Sequence, residues 1–214
     1  CLISMNLKNH FDKIYCINLD RRVDRWDESK AEFKKWNMES IVERYPAIDG
    51  KLLPVNPDNN FLDAGNMGLI TTHINLLTES IKEGYENILL LEDDIYFTPE
   101  ILNYEEYLGM VPDDWDMIYF GGNHNLHMGA TLNKINDKVA RLHSTYGLQC
   151  IVVKNTLFRP MLDTIREKKV PIDVYYTKLA QKNYNCYGFY PSMALQRVSF
   201  SDLQNQVMDN RWLF

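Results

Sequence analysis

The sequence predicts an α/β domain, a mostly parallel central sheet flanked by helices. Three observations predict it. Short, continuous apolar runs recur along the chain, and such runs read as strands buried on both faces. Stretches with apolar residues at helical spacing separate them. Three carboxylates, Glu92, Asp93 and Asp94, follow directly on the most apolar run, Ile88 to Leu91. In open α/β sheets, ligands bind at the carboxyl ends of the strands.

The elements follow in order. Lys13 to Leu19 reads as a buried first strand, and Asp20 to Arg25 as a polar turn in which Asp24 or a neighbour caps the next helix. Within Val23 to Trp36, Trp26, Phe33 and Trp36 share one helical face. Ile41 to Ala47 predicts a second strand, and the Pro/Asn/Asp-rich piece from Pro54 to Asn60 a loop. Ile70, Ile74, Leu77 and Ile81 place a helix between Gly68 and Gly84. The strand ending in the acidic trio comes next, then a helix opened by Pro99 and a strand from Asp116 to Phe120. Asn123 to Asn136 is polar and reads as a mobile loop. Leu148 to Val153 predicts a strand, Thr156 to Glu167 and Asp173 to Gln181 helices, and Tyr184 to Tyr190 a last strand before an irregular tail from Phe200.

At 214 residues and 45% hydrophobic, the chain suffices for one domain, residues 1–214. It begins at Cys1, a start consistent with excision from a longer chain, and Met5 is the alternative start. A net charge of -6 without a basic block argues against a nucleic-acid partner. No apolar run approaches the roughly 20 residues of a membrane span. The cysteines, Cys1, Cys16, Cys150 and Cys186, lack metal-binding spacing. Asn-x-Ser/Thr sequons are absent, and richness in Asn, Ile, Lys and Tyr suggests an AT-rich bacterial or viral genome. A cytoplasmic location is therefore expected ahead of the lumen of the endoplasmic reticulum.

Clustered carboxylates need hydration, protonation, a basic partner or a cation, because two of them ~4 Å apart repel by roughly 4 kcal/mol at an effective dielectric of 20. One reading of Glu92-Asp93-Asp94 is a divalent-metal site receiving a phosphorylated ligand; the other is a solvated acidic turn. No glycine-rich phosphate loop is present, so phosphates would be held by metal and side chains.

Six elements then appear in sequence: Ile17-Asn18-Leu19-Asp20-Arg21-Arg22-Val23-Asp24-Arg25-Trp26, Ala47-Ile48-Asp49-Gly50, Gly68-Leu69-Ile70-Thr71-Thr72-His73, Leu90-Leu91-Glu92-Asp93-Asp94, Pro171-Ile172-Asp173 and Ser199-Phe200-Ser201-Asp202-Leu203. In order and kind they resemble glycosyltransferase family 25, which includes lipooligosaccharide and procollagen galactosyltransferases. Leu69 stands where the family often has Cys, and Thr72 where it has Ser.

The resemblance implies a GT-A fold, a UDP-sugar donor and Mn²⁺, with Mg²⁺ as the alternative. It implies an inverting transfer of galactose or glucose to a hydroxyl of a glycan or a hydroxylated protein. Asp94 is assigned to the metal, with Asp93 beside or on it, and Glu92 to the donor's ribose. Asn18 and Asp49 would flank a uridine. Arg21, Arg22 and Arg25 are the nearest cations to the donor phosphates, or else form salt bridges with Asp20, Asp24 or Asp27. His73 touches phosphate or is a hydrogen-bonded core histidine. Asp173 is the first candidate for the base that takes the acceptor's proton, or an N-cap. Asp202 is the second candidate base, or completes the metal shell. His124, His127 and His143 are expected to face solvent. Gly121-Gly122 allows close approach of the acceptor or makes a turn, and Trp115, Tyr119, Tyr146 and Tyr187 stack on a sugar or fill the core. A domain of this kind without turnover, binding a glycan or a partner, is the alternative.

Overall fold

The computed structural model describes residues 6–54, 62–124, 131–201 and 206–208. Asp202 and His127 lie outside the described residues.

Strand β1 (Lys13–Leu19) leads into helix α1 (Val23–Lys35), then β2 (Glu43–Ala47) and the long helix α2 (Ala64–Glu83). Strands β3 (Asn87–Glu92) and β4 (Ile95–Phe97) flank the acidic turn. Next come a 3₁₀ turn over Pro99–Asn103, α3 (Tyr104–Gly109), β5 (Met117–Asn123), β6 (Asn133–Lys134), β7 (Val139–Arg141) and β8 (Tyr146–Lys154). Helix α4 (Asn155–Ile165) and α5 (Ile172–Tyr175) follow, continued by a π-type turn over Tyr176–Ala180 and by α6 (Gln181–Asn183). The chain closes with β9 (Cys186–Phe189), β10 (Ala194–Gln196), β11 (Ser199–Ser201) and β12 (Gln206–Met208).

Eight strands form the central sheet in the order β2-β1-β3-β8-β5-β9-β7-β6. Alternate residues of each central strand enter two different cores. Cys16, Leu89, Leu91, Ile118, Phe120, Cys150 and Val152 pack with Phe33 of α1 and Tyr104 and Tyr107 of α3. Tyr15, Ile17, Ile88, Leu90, Met117, Tyr119, Ile151 and Val153 pack on the other face with α2, α4 and α5. An α/β sheet flanked by helices is therefore present, and the apolar run Ile88–Leu91 is buried on both faces because both faces carry helices.

The sheet is mixed in direction. Pairing is parallel for β2–β1, β1–β3 and β5–β9, but β8 runs antiparallel between β3 and β5, and β7 antiparallel to β9. A run of apolar residues specifies burial, not direction, so this was not legible.

Several local expectations change. Arg22 occupies the N-cap of α1 without a side-chain cap, and Asp24 lies in the first turn. The described part of the tail is regular, since Ser199–Ser201 and Gln206–Met208 pair as antiparallel strands. Gly121 and Gly122 belong to β5 rather than to a turn. A Cβ on Gly121 would lie 2.0 Å from the carbonyl oxygen of Ala194, so the close approach serves the protein's own backbone at β10.

Two of the sequence elements form one contact. A Cβ on Gly50 would sit 1.6 Å from the Ala64 carbonyl oxygen, and one on Gly68 2.4 Å from that of Ile48. Above them the Thr72 hydroxyl accepts from the Ile48 N–H at 2.9 Å and donates to the Gly68 carbonyl at 2.8 Å. The hydroxyl shared by Thr and Ser at this position thus locks the end of β2 to the start of α2.

Candidate functional site

Strand β3 delivers the acidic trio at its carboxyl end, beside β1 on one edge and β8 on the other. Past Glu92 the chain leaves the central sheet, and β4 pairs with β10 instead. The turn between is pinned through its backbone. Ser29 Oγ donates to the Asp93 carbonyl at 2.9 Å, and Arg197 Nη2 to the same oxygen at 2.7 Å. Arg197 Nη1 donates to the Ile95 carbonyl at 2.8 Å, and the Arg197 N–H to that of Asp94 at 2.6 Å. A residue near the end of the chain therefore fixes the geometry of residues in its middle.

The side chains are held as firmly. Asn18, buried at the end of β1, donates from Nδ2 to Asp93 Oδ2 at 2.6 Å and accepts at Oδ1 from Arg44 Nε at 2.8 Å. Arg25 places Nη1 2.6 Å from Asp93 Oδ1 and Nη2 3.0 Å from Asp94 Oδ2, so one guanidinium bridges both carboxylates. Gln196 donates to Glu92 at 3.1 Å. Burial, with the charges of Asp94 and Asp93 adding to it, pushes the Glu92 carboxyl up to about 8. Burial also raises Asp93, against the opposing pull of Arg25 and Asn18. One guanidinium and the amides of Asn18 and Gln196 thus face the three acids.

The side chains of Asp49, Arg22 and His73 are engaged in other contacts, although the Arg22 carbonyl accepts from Asn18 Nδ2 at 3.1 Å. Asp49 caps the short 3₁₀ turn at Gly50–Leu52, accepting from the Lys51 N–H at 3.0 Å, and pairs with Arg21 at 2.7 Å. Arg22 pairs with Asp24 at 2.8 Å, the salt-bridge reading of that arginine. His73 is a core histidine: it is buried on α2, its Nδ1 3.3 Å from the Tyr176 hydroxyl, and burial lowers it to about 4. These are the contacts of the hydrogen-bonded core histidine, one of its two expected roles.

Asp173 sits in the first turn of α5, with Pro171 in the N-cap position, so the capping expectation is replaced. Burial raises its carboxyl, while backbone N–H groups of Val174 and Gly147 oppose the rise. His124, expected in solvent, is buried against the Thr145 hydroxyl at 2.9 Å and lowered by burial to about 4; His143 is exposed as expected. Tyr119 is core, and Tyr187 packs beneath the Arg141 guanidinium.

Sequence reasoning missed Gln149. One step beyond the paired positions Leu91 and Cys150, the antiparallel register sets it beside Glu92. It is buried, and its Oε1 has no hydrogen-bond partner among the described residues. A glutamine inside the apolar run Leu148–Val153 was the available signal. Arg197 and Gln196 carried none, because their role arises from β10 pairing with β4.

Carboxylate oxygens suit a hard cation such as Mg²⁺ or Mn²⁺. Among the described residues no group of three or more His, Cys, Asp or Glu stands ready as a cage. Asp93 and Asp94 fit such an ion in donor chemistry, and the position between them is spanned by Arg25.

The architecture and the site define an α/β domain with a pinned acidic turn at the carboxyl end of a central strand. No protein-family model matches the chain. Curated relatives do. A glycosyltransferase 25 family member of Anopheles gambiae is 31% identical over 129 residues, 50% of this chain and 21% of its own length. Procollagen galactosyltransferase 1 of Danio rerio is 26% identical over 157 residues, 64% of this chain and 25% of that protein. The human inactive glycosyltransferase 25 family member 3 is 27% identical over 134 residues, 52% of this chain and 22% of that protein. The chain spans only about a fifth to a quarter of the length of these relatives. The resemblance to glycosyltransferase family 25 is therefore carried by proteins named for it. Among solved structures, a glycosyltransferase involved in glycosylation of the major capsid of PBCV-1 aligns with 78% of this chain and 74% of its own, at a TM-score of 0.45 and 8% identity, too distant to bear on function. No helix among the described residues is long and apolar enough to cross a membrane.

Proposed function

We propose that this chain is a glycosyltransferase domain that moves a hexose, galactose or glucose, from a UDP-sugar to an acceptor hydroxyl with inversion. The acceptor is a glycan or a hydroxylated protein. The observation that supports this best is the acidic turn gripped between Asn18 and Arg25 at the end of β3, in a chain similar to family 25 glycosyltransferases. Asp94 and Asp93 would hold Mn²⁺ or Mg²⁺, which when bound offsets negative charge on the departing diphosphate. Glu92, protonated near neutrality, has a hydrogen to donate to a donor hydroxyl. Asp173, raised by burial, suits a base that takes the acceptor's proton.

Incubation with a panel of UDP-sugars and Mn²⁺ tests this. Release of UDP that is lost in Asp94→Asn is the expected result. Absence of both UDP release and UDP binding across the panel would overturn the reading.

One observation favours a second reading. A relative of similar identity is named inactive, and Arg25 already bridges the acid pair. In that case the domain binds without turnover, and calorimetry would show UDP binding that Mn²⁺ does not affect.

A further inference from the structure

Arg25 is placed against its local preference. It lies in the first turn of α1, where the helix dipole disfavours a cation. Its side chain is nevertheless only 12% exposed, against Asp93 at 9% and Asp94 at 14%. What holds it there is the pair of carboxylates, one nitrogen of the fork to each, at 2.6 and 3.0 Å. Those are the same two side chains that the proposed function gives to a divalent cation. A guanidinium between the two carboxylates and a small hard ion bound to both would claim the same lone pairs.

We infer that Arg25 is the resident cation of this acid pair, and that a divalent ion and the Arg25 guanidinium are alternative occupants of it. The inference rests on the reading of Asp93 and Asp94 as the metal site. Binding of the ion then requires Arg25 to leave, and the affinity for metal is lowered by the stability of the bridge. The arginine bridges the two carboxylates and keeps the turn ordered before the ion arrives. Asn18, Ser29 and Arg197 hold Asp93 through contacts that do not involve the Arg25 fork, so the turn retains its shape during the exchange. Arg25 is thus a positioning residue that sets metal affinity.

Mn²⁺ binding without nucleotide, read by the electron paramagnetic resonance of free Mn²⁺, tests this in the wild type, Arg25→Met, Arg25→Lys and Asp94→Asn. Arg25→Met is expected to bind Mn²⁺ at least about tenfold more tightly than the wild type. Arg25→Lys, which keeps a charge but loses the fork, should fall between them. Asp94→Asn should abolish binding. If Arg25→Met binds no more tightly while Asp94→Asn still abolishes binding, the exchange is wrong and the metal site survives. If Asp94→Asn leaves binding unchanged, or no form binds Mn²⁺ even with UDP, the metal site itself falls and takes the exchange with it. Should Arg25→Met fail to fold, the wild type labelled with ¹⁵N-arginine decides. Its Arg25 Nε–H resonance, assigned by its loss in Arg25→Lys, should shift on addition of Mg²⁺ and UDP; a resonance that stays fixed while Mg²⁺ binds overturns the exchange.

Discussion

Asn18 Nδ2 lies 2.6 Å from Asp93 Oδ2, across 75 residues of sequence and between adjacent strands of the sheet. The amide is oriented by its other contacts, since Arg44 donates to its oxygen at 2.8 Å. It therefore can only donate toward Asp93. Replacing Asn18 with Leu leaves a buried carboxylate oxygen short of a donor, a loss of about 1–3 kcal/mol. Replacing it with Asp adds a charge facing a charge and is expected to cost more. Urea unfolding of both variants measures the difference; an Asn18→Asp protein as stable as Asn18→Leu would show that Arg44, beside the new carboxylate, offsets its repulsion by Asp93.

Gly50 and Gly68 are predicted to be irreplaceable for a structural reason, not a chemical one. The atoms that an added Cβ would strike are backbone carbonyls, which cannot rotate away. Gly68→Ala should cost at least about 3 kcal/mol, at the upper end of overpacking effects. Thermal unfolding reads this directly. A loss below about 1 kcal/mol would mean that β2 and α2 can separate without harm.

That contact shows what the sequence could and could not reveal. The alternation of strands and helices was legible because burial on both faces leaves continuous apolar runs. The position of the acidic turn was legible because charges directly after such a run must lie at a sheet edge. Asp49 and Thr72, by contrast, stand in recognisable elements, yet their contacts are local: Asp49 caps a turn and Thr72 ties β2 to α2. Arg25 was expected near the donor phosphates or paired with Asp20, Asp24 or Asp27, and its pairing with Asp93 and Asp94 was hidden because these lie 68 and 69 residues away. Gln196 and Arg197 were invisible, because which strand pairs with β4 is a tertiary fact.

Thr72 gives a finer test of the same contact. Thr72→Ser keeps the hydroxyl that accepts from Ile48, and should lose no more than about 1 kcal/mol for one buried methyl group. Thr72→Val keeps the volume but strands the Ile48 N–H, at about 1–3 kcal/mol. Chemical denaturation should therefore rank Ser above Val. The reverse order would assign the position to packing.

Stability is predicted to decline above pH 6.5 through Glu92, and three buried groups show the signs. His73 and His124, each lowered to about 4, stay neutral in the folded protein while the unfolded chain protonates near 6.5. The unfolded state then binds two more protons as pH falls from 6.5 toward 4, and that stability is lost. Glu92, raised to about 8, does the opposite: the folded state keeps a proton that the unfolded chain releases near 4.5. Between 4.5 and 6.5 the two histidines raise stability with pH, while Glu92 and the raised carboxyls of Asp93 and Asp173 oppose them. Between 6.5 and 8 the histidines no longer differ between the two states, and Glu92 lowers stability as pH rises. Glu92→Gln removes that alkaline decline, which is on the order of 1–2 kcal/mol once partial hydration is allowed for. Unfolding free energies from pH 5 to 9 in the two proteins provide the measurement. A wild-type curve that climbs monotonically through pH 8 would show that Glu92 is already ionised at neutrality.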